Sequence, residues 1–436
     1  MKLGFYFNSE HLKPWTWKDF MEDNLPLSGT DSQFLRILYS LAKRNHDCFL
    51  FSTRKVNSED YSIFEIYVEN LSDAVLKSKE IGIDILIFST SCGFSQIYEA
   101  LPFWETLRQP CLVWCQNFLN GNPILDVLAK SSFVRRFTCV SSCQVDALRD
   151  HSIFFKTNYI HNSIDLDRFE QFTHVEREPL NICYLGSLTI YKGFQHLARI
   201  WPYIHKKFPK SKLFVLGSSK LYDKDSNLGP LGVTDRDFEN SAIIPYLGKN
   251  LSEVESKGVF FLGLVTPDKI RQVVSSCSVG IINPSLKTPE CCSVSSLEIQ
   301  ACGVPVIGGN CGGNRETIKH QQTGILVRNE RDLLLAISKL LDDPLSARTM
   351  GQAGYQWIGQ NFSETLIVDQ WCNVLESAIS HRSLTPKEIS WKDDSPSILV
   401  RELIRVTKSL PLVGNRVPTL DETRNVVSNF IRKILK

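Results

Sequence analysis

The sequence predicts an α/β protein built from two doubly wound domains that face each other across a deep cleft. Three observations carry that expectation. The chain has 436 residues, too many for one ordinary hydrophobic core. Its apolar residues fall in short, nearly continuous runs separated by longer stretches of helical period, the pattern of a parallel sheet covered on both faces. That series begins again near residue 180.

Leu3–Phe7 reads as the first strand, and the helical spacing of Phe34, Leu35, Leu38 and Leu41 predicts a helix over Ser32–Arg44. Cys48–Ser52, Ile83–Ser89, Pro110–Cys115 and Phe137–Ser141 complete the first set of strands. In the second half Leu180–Leu185 is a strand, Gly186–Gly193 a loop and Phe194–Phe208 a helix, followed by the strand Lys212–Gly217. Gly258–Leu262, Val279–Asn283 and Val304–Gly308 are further strands, and the polar stretch Ser218–Lys249 reads as a surface excursion. Ligands of such sheets bind beyond the carboxyl ends of the strands, where loops lead into helices. The expected divisions are a first domain over 1–170, a second over 171–362, a helix crossing back over 363–383 and a tail over 384–436.

The composition sets outer limits. A hydrophobic fraction of 43% with 22% charged residues is that of a folded protein. The net charge of +2 shows no field of one sign, so no nucleic-acid partner is expected. The thirteen cysteines are scattered, without the C-x2-C spacing of zinc ribbons, and are read as buried thiols in a reducing compartment. Met1–Asn8 reads as a strand entering a turn rather than a leader peptide. No apolar run approaches the ~18 residues that span a bilayer. A cytoplasmic protein is expected.

The stretch from Pro284 to Ile307 concentrates the chemistry: strand end, loop, helix, glycine stop and next strand. Ser293 suits a helix N-cap and Gly303 the residue just past the helix end. The backbone N–H groups of Cys292, Ser293 and Val294 would then point from a helix N-terminus into the cleft, a ready site for a phosphate. Glu290 and Glu298 flank that site with seven residues between them. Carboxylates beside an anion site are acceptors for sugar hydroxyls; read alone, they would be a solvated loop residue and a carboxylate favoured by the helix dipole.

They do not stand alone. Glu290 and Glu298 lead into Ala301-Cys302-Gly303-Val304-Pro305-Val306, and on through Gly312-Gly313-Asn314-Arg315-Glu316 to Thr323-Gly324-Ile325-Leu326-Val327. Upstream lie Tyr184-Leu185-Gly186-Ser187-Leu188, Lys192-Gly193 and Ile160-His161-Asn162-Ser163-Ile164-Asp165 with Phe169. In this order the segments resemble glycosyltransferase family 4. Among them, Thr323–Val327 resembles that family's hairpin. The resemblance implies a GT-B architecture of two Rossmann-like domains and a retaining, metal-independent transfer of a hexose, needing no cofactor beyond a nucleoside diphosphate sugar as co-substrate. By the same resemblance Glu290 would bond donor-sugar hydroxyls and Glu298 the ribose. Lys192 would neutralise the departing diphosphate, with Gly186 and Ser187 beside it. Gly29 and Thr30 would approach the diphosphate from the first domain, a glycine letting backbone come close. The acceptor implied is a glycan or lipid-linked sugar. Two departures stand out. Ser187 takes the place of the family's usual arginine, and Cys115-Gln116-Asn117 stands where many members have an acceptor-side histidine. An epimerase of the same fold and a non-catalytic binding protein are the alternatives.

Other signals have plainer readings. Asp165-Leu166-Asp167, Asp223-Lys224-Asp225 and Asp235-Arg236-Asp237 follow no strand and are expected to cap and turn rather than hold a metal. Gly308–Gly313 lacks dinucleotide spacing; it is read as a turn or as a close approach of backbone to the donor. Trp357, Phe362 and Trp371 belong to the closing helices. The tail carries ten Lys/Arg against six Asp/Glu. Within it Val426, Val427, Phe430, Ile431, Ile434 and Leu435 form one helix face, expected to pack on the body, with peripheral membrane contact as the alternative.

Overall fold

The computed structural model describes residues 1–56, 62–221, 227–285, 287–382, 396–410 and 417–434, with backbone alone for 221 and 429–434. The first sheet is built from β1 (Lys2–Phe7), β2 (Asp47–Ser52), β3 (Ile63–Tyr67), β4 (Ile85–Ser89), β5 (Cys111–Cys115), β6 (Val134–Cys139) and β7 (Thr157–Tyr159). The strand order is β3-β2-β1-β4-β5-β6-β7, parallel throughout. The second contains β8 (Glu178–Leu185), β9 (Lys212–Leu216), β10 (Val259–Gly263), β11 (Cys277–Ile281), β12 (Val306–Gly309) and β13 (Gly324–Val327). Their order, β10-β9-β8-β11-β12-β13, is again wholly parallel.

Burial explains which strands could be read. Every residue of β4 and β5 is buried, so each is a continuous apolar run. The two strands of the first sheet that the sequence pattern does not predict lie at its edges. β3 interrupts its apolar residues with Glu65 and leaves Phe64 exposed, and β7 is only three residues long. The helix expected from Ser32 begins at Gly29, because the Ser28 hydroxyl accepts the Asp31 N–H at 3.1 Å and caps the chain one turn earlier.

Three expectations are corrected. Thr323–Val327 is no hairpin: β13 pairs in parallel with β12 at the sheet edge. Ser218–Lys249 is not merely a surface excursion. Leu231, Phe238, Ile243 and Leu247 enter the second domain's core, and the buried Glu239 carboxylate accepts the N–H groups of Leu231, Val233 and Thr234 at 2.6, 2.7 and 2.9 Å. The face of the helix Leu420–Ile434 does not pack at Val426 and Val427, which are 69% and 51% exposed; the other four residues of that face lie outside the described side chains.

Two elements that follow the second domain return to the first. The helix Glu364–Ile379 follows the second domain but buries Ile367, Val368, Trp371 and Leu375 in the first domain's core, with Trp371 edge-on to Trp114 at 4.6 Å. In the tail, Arg401 on the helix Pro396–Lys408 is buried and pairs with Asp150 at 2.7 Å and Asp421 at 2.8 Å. The tail is thus anchored on the first domain by a buried charge network.

Candidate active site

A cavity of 590 Å³ lies between the carboxyl edges of the two sheets, and all ten residues singled out from the sequence line it: Gly29, Thr30, Gly186, Ser187, Lys192, Glu290, Cys292, Ser293, Val294 and Glu298.

The loop after β8 carries Lys192. It ends at Gly193, whose φ of +72° admits only glycine comfortably and where a Cβ would meet Asn283 Oδ1 at 2.7 Å. The Tyr184 hydroxyl, buried at the end of β8, donates to the Lys192 carbonyl at 2.6 Å. Lys192 Nζ in turn lies 2.8 and 2.9 Å from the two carboxylate oxygens of Glu290. Glu290 also accepts Asn283 Nδ2 at 3.1 Å, while that same amide donates to the carbonyls of Tyr191 at 3.1 Å and Thr288 at 2.9 Å. Asn283 therefore fastens the Lys192 loop to the Glu290 loop. It carries no motif of its own, and only its place at the end of a strand marked it.

Beyond this pair the helix Val294–Ala301 begins as expected. Ser293 Oγ accepts the Ser296 N–H at 3.3 Å, and Gly303, at φ +70°, follows its end. The N–H groups of Cys292, Ser293 and Val294 have no acceptor among the described residues. Asn162, from the segment joining the domains, holds the Cys292 carbonyl at 2.8 Å. Opposite stands the N-terminus of the helix Gly29–Lys43, and a side chain at Gly29 would meet Val294 Cγ2 at 3.2 Å. Two positive helix ends from the two domains converge on one cavity, an arrangement that favours an anion.

Glu298 lies inside that helix, and its carboxyl has no hydrogen-bond partner among the described residues. Burial pushes that carboxyl up to about 7, against the opposing pull of Arg271 and Arg36. Arg271 is held by Asp23 at 2.5 Å and lies over the rings of Phe169 and Phe172, and Asp23 also binds Arg168 at 2.6 Å. Ser187 is buried with its hydroxyl unpartnered among the described residues. Arg36 is engaged with Asp165 and Glu364, so neither it nor Arg271 stands free to replace a missing arginine.

Glu316 joins the domains. It accepts the N–H groups of Ser142 and Cys143, both at 3.0 Å, and faces His161 at 2.8 Å. Burial would raise its carboxyl, but these hydrogen bonds hold it below the usual carboxylate range. The glycines before it serve packing: side chains at Gly309, Gly312 and Gly313 would strike the backbone of Ser285, Glu290 and Cys291 within 2.4, 2.4 and 1.6 Å. The close approach expected there is to the Glu290 loop. Asp165 and Asp235 head helical turns, whereas Asp223–Asp225 lies outside the described residues. All thirteen cysteines are unpaired.

Two facing Rossmann-like domains with their functional loops at the cleft define a GT-B protein. The crystal structure of Anabaena HepE in complex with UDP superposes with a TM-score of 0.64 at 15% identity, covering 86% of this chain and all of that one. Residues 179–343 match the family described as glycosyl transferases group 1, so the second domain is a group 1 glycosyltransferase domain. An uncharacterized glycosyltransferase of Methanocaldococcus jannaschii is 29% identical over 178 residues, 40% of this chain and 39% of that one. A GDP-mannose-dependent alpha-(1-6)-phosphatidylinositol monomannoside mannosyltransferase of Mycolicibacterium smegmatis is 41% identical over 187 residues, 42% of this chain and 44% of its own length. The chain thus spans less than half of each of these two relatives.

Proposed function

We propose that the protein transfers a hexose from a nucleoside diphosphate sugar to a hydroxyl acceptor, a glycan or lipid-linked sugar, with retention and without a metal. The observation that carries this reading is the Lys192–Glu290 pair set beside two converging helix N-termini. In the free protein the carboxylate satisfies the ammonium. A bound donor exchanges that contact: its diphosphate takes Lys192, and its sugar hydroxyls take Glu290. The acceptor oxygen then bonds to the anomeric carbon as the bond to the diphosphate oxygen breaks, and the hydroxyl proton leaves with the diphosphate. Lys192 and the helix ends stabilise the charge developing there. The names of the similar proteins make GDP-mannose and UDP-glucose the first donors to try.

Peripheral contact with a membrane belongs to the same reading. Leu399, Leu403, Val406 and Leu410 recur along one side of the helix Pro396–Lys408 and its extension, each about half exposed or more, and Val426 and Val427 of the following helix are exposed as well. Among the described residues no helix is long and apolar enough to cross a membrane. Ser187 favours a second reading, binding without turnover, because a cation is missing from the phosphate end.

Incubation with labelled donors, with and without sugar acceptors, decides between them. Acceptor-dependent release of nucleoside diphosphate that Lys192→Ala abolishes supports transfer. Free nucleotide with an isomerised sugar and no acceptor requirement identifies an epimerase. Nucleotide binding without any turnover identifies a binding protein.

A further inference from the structure

Behind the Glu290 loop lies a second and larger cavity of 1100 Å³, walled by the first domain, the second domain and both tail helices. Gly312 lines it, and the backbone beside Gly312 packs directly on Glu290: the Gly313 N–H donates to the Glu290 carbonyl at 2.7 Å. The loop carrying Glu290 is therefore the partition between the two cavities. They come together along one segment of the first domain, where Asn117 and Phe118 line the donor cavity and Asn120 the second.

The charges around this cavity are unequal. Among the described residues five Arg and Lys side chains and two carboxylates line it. Both carboxylates are already engaged, Asp146 by Arg149 at 2.6 Å and Glu316 by the Ser142 and Cys143 N–H groups at 3.0 Å and by His161 at 2.8 Å. Arg401 is consumed by Asp150 and Asp421. Three cations remain. Arg315 is exposed and donates to Asn310, through Oδ1 and the carbonyl, both at 2.9 Å. Lys319 rests its ammonium 4.3 Å from the centre of the Trp357 ring and meets no carboxylate among the described residues. Arg424, on the tail helix, reaches Asp421 only at 4.0 Å. The Trp357 ring that carries Lys319 forms part of the wall, with its indole N–H buried. Two cations without a carboxylate partner, a third only loosely paired, and an aromatic ring around a cavity that adjoins the reaction centre suit an anionic sugar.

We infer that this cavity receives the acceptor, and that the acceptor carries an oxyanion, phosphate or carboxylate, set against Arg315, Lys319 and Arg424. The inference rests on the transferase reading. It adds that the acceptor is charged and that the tail completes its site. A hydroxyl end then reaches the donor past Gln116 and Asn117, while the anionic end stays with the cations and the tail.

The test is calorimetric titration of the full chain with mannose 6-phosphate, glucuronic acid and mannose, with and without UDP or GDP. The expected result is that an anionic probe binds at least ~10-fold more tightly than mannose, and that Lys319→Ala, Arg315→Ala and Arg424→Ala each weaken it by about 10-fold. Preference for the phosphate or for the carboxylate names the oxyanion. Because all three side chains are exposed, unchanged melting of the free variants shows that they are folded. Equal binding of mannose and both anions, no binding of any probe, or indifference to all three substitutions would overturn the inference. Nucleotide binding is read in the same titrations, so loss of the donor reading registers separately from loss of this one.

Discussion

At the scale of single residues the site is poised by competition for charge. On the proposed reading the Lys192–Glu290 pair is a placeholder for donor; removing either partner leaves the other half-buried without its counter-charge. Lys192→Ala should lower kcat by about 10²–10³-fold, the cost of losing one donor aimed at developing negative charge. Steady-state kinetics with the matched donor checks this, and an undiminished kcat would remove Lys192 from the chemistry. Glu298 makes the site pH-sensitive. Its carboxyl is raised from 4.5 to about 7 by burial, so the folded protein holds that proton more tightly than the unfolded chain. Its contribution to stability is therefore present at low pH and lost as pH rises towards 7. If Glu298 holds the ribose, its ionised form is the stronger acceptor for the two hydroxyls, since both oxygens then accept and neither carries a proton. Donor affinity should thus rise between about pH 6 and 8 and binding should release a proton, which calorimetry in two buffers of different ionisation enthalpy detects. An affinity flat across that range would deny Glu298 its role.

At the scale of elements, one glycine sets the geometry of the lysine loop. Gly193 is fixed by its φ of +72° and by Asn283 and Pro284, so Gly193→Ala should destabilise the second domain by about 1–3 kcal/mol and displace Lys192. Thermal melting together with donor affinity measures both effects. The elements around the site were legible because buried parallel strands such as β4 and β5 are continuous apolar runs, and because Ser293 and Gly303 mark the two ends of a helix by their own chemistry. The edges were not. β3 carries a charge amid its apolar residues, and the helices after Asp235 hide their buried Phe238, Ile243 and Leu247 in a polar stretch. Nor could local pattern show that β13 pairs in parallel with β12, since pairing direction is a tertiary fact. The Glu290, Glu298 and Lys192 positions followed from an ordered series of segments. Asn283 and the interdomain role of Glu316 needed coordinates, because a single asparagine or glutamate has many uses.

At the scale of the molecule, the first domain is completed by sequence that follows the second. Trp371 fills the first domain's core, and Trp371→Ala should cost about 3–5 kcal/mol, seen as a lower melting temperature. The domains also meet through Asp23 with Arg271, and through Glu316 with the Ser142 and Cys143 amides. The depressed carboxyl of Glu316 contributes stability above its unfolded value, and that contribution is lost as pH falls through the folded one. On the transfer proposed above, closure of the two domains over a donor would exclude water and favour transfer over hydrolysis.

The central claim is that the cavity between the sheets binds a nucleoside diphosphate sugar through Lys192 and Glu298. Its most direct test is the melting temperature of the wild type, Lys192→Ala and Glu298→Ala with UDP, GDP, ADP and their sugars. A donor at about 100 times its dissociation constant stabilises by about 2.7 kcal/mol. A shift of that size is expected with one nucleotide class in the wild type, reduced by both substitutions. No shift with any nucleotide, or a shift that both variants retain in full, would contradict it.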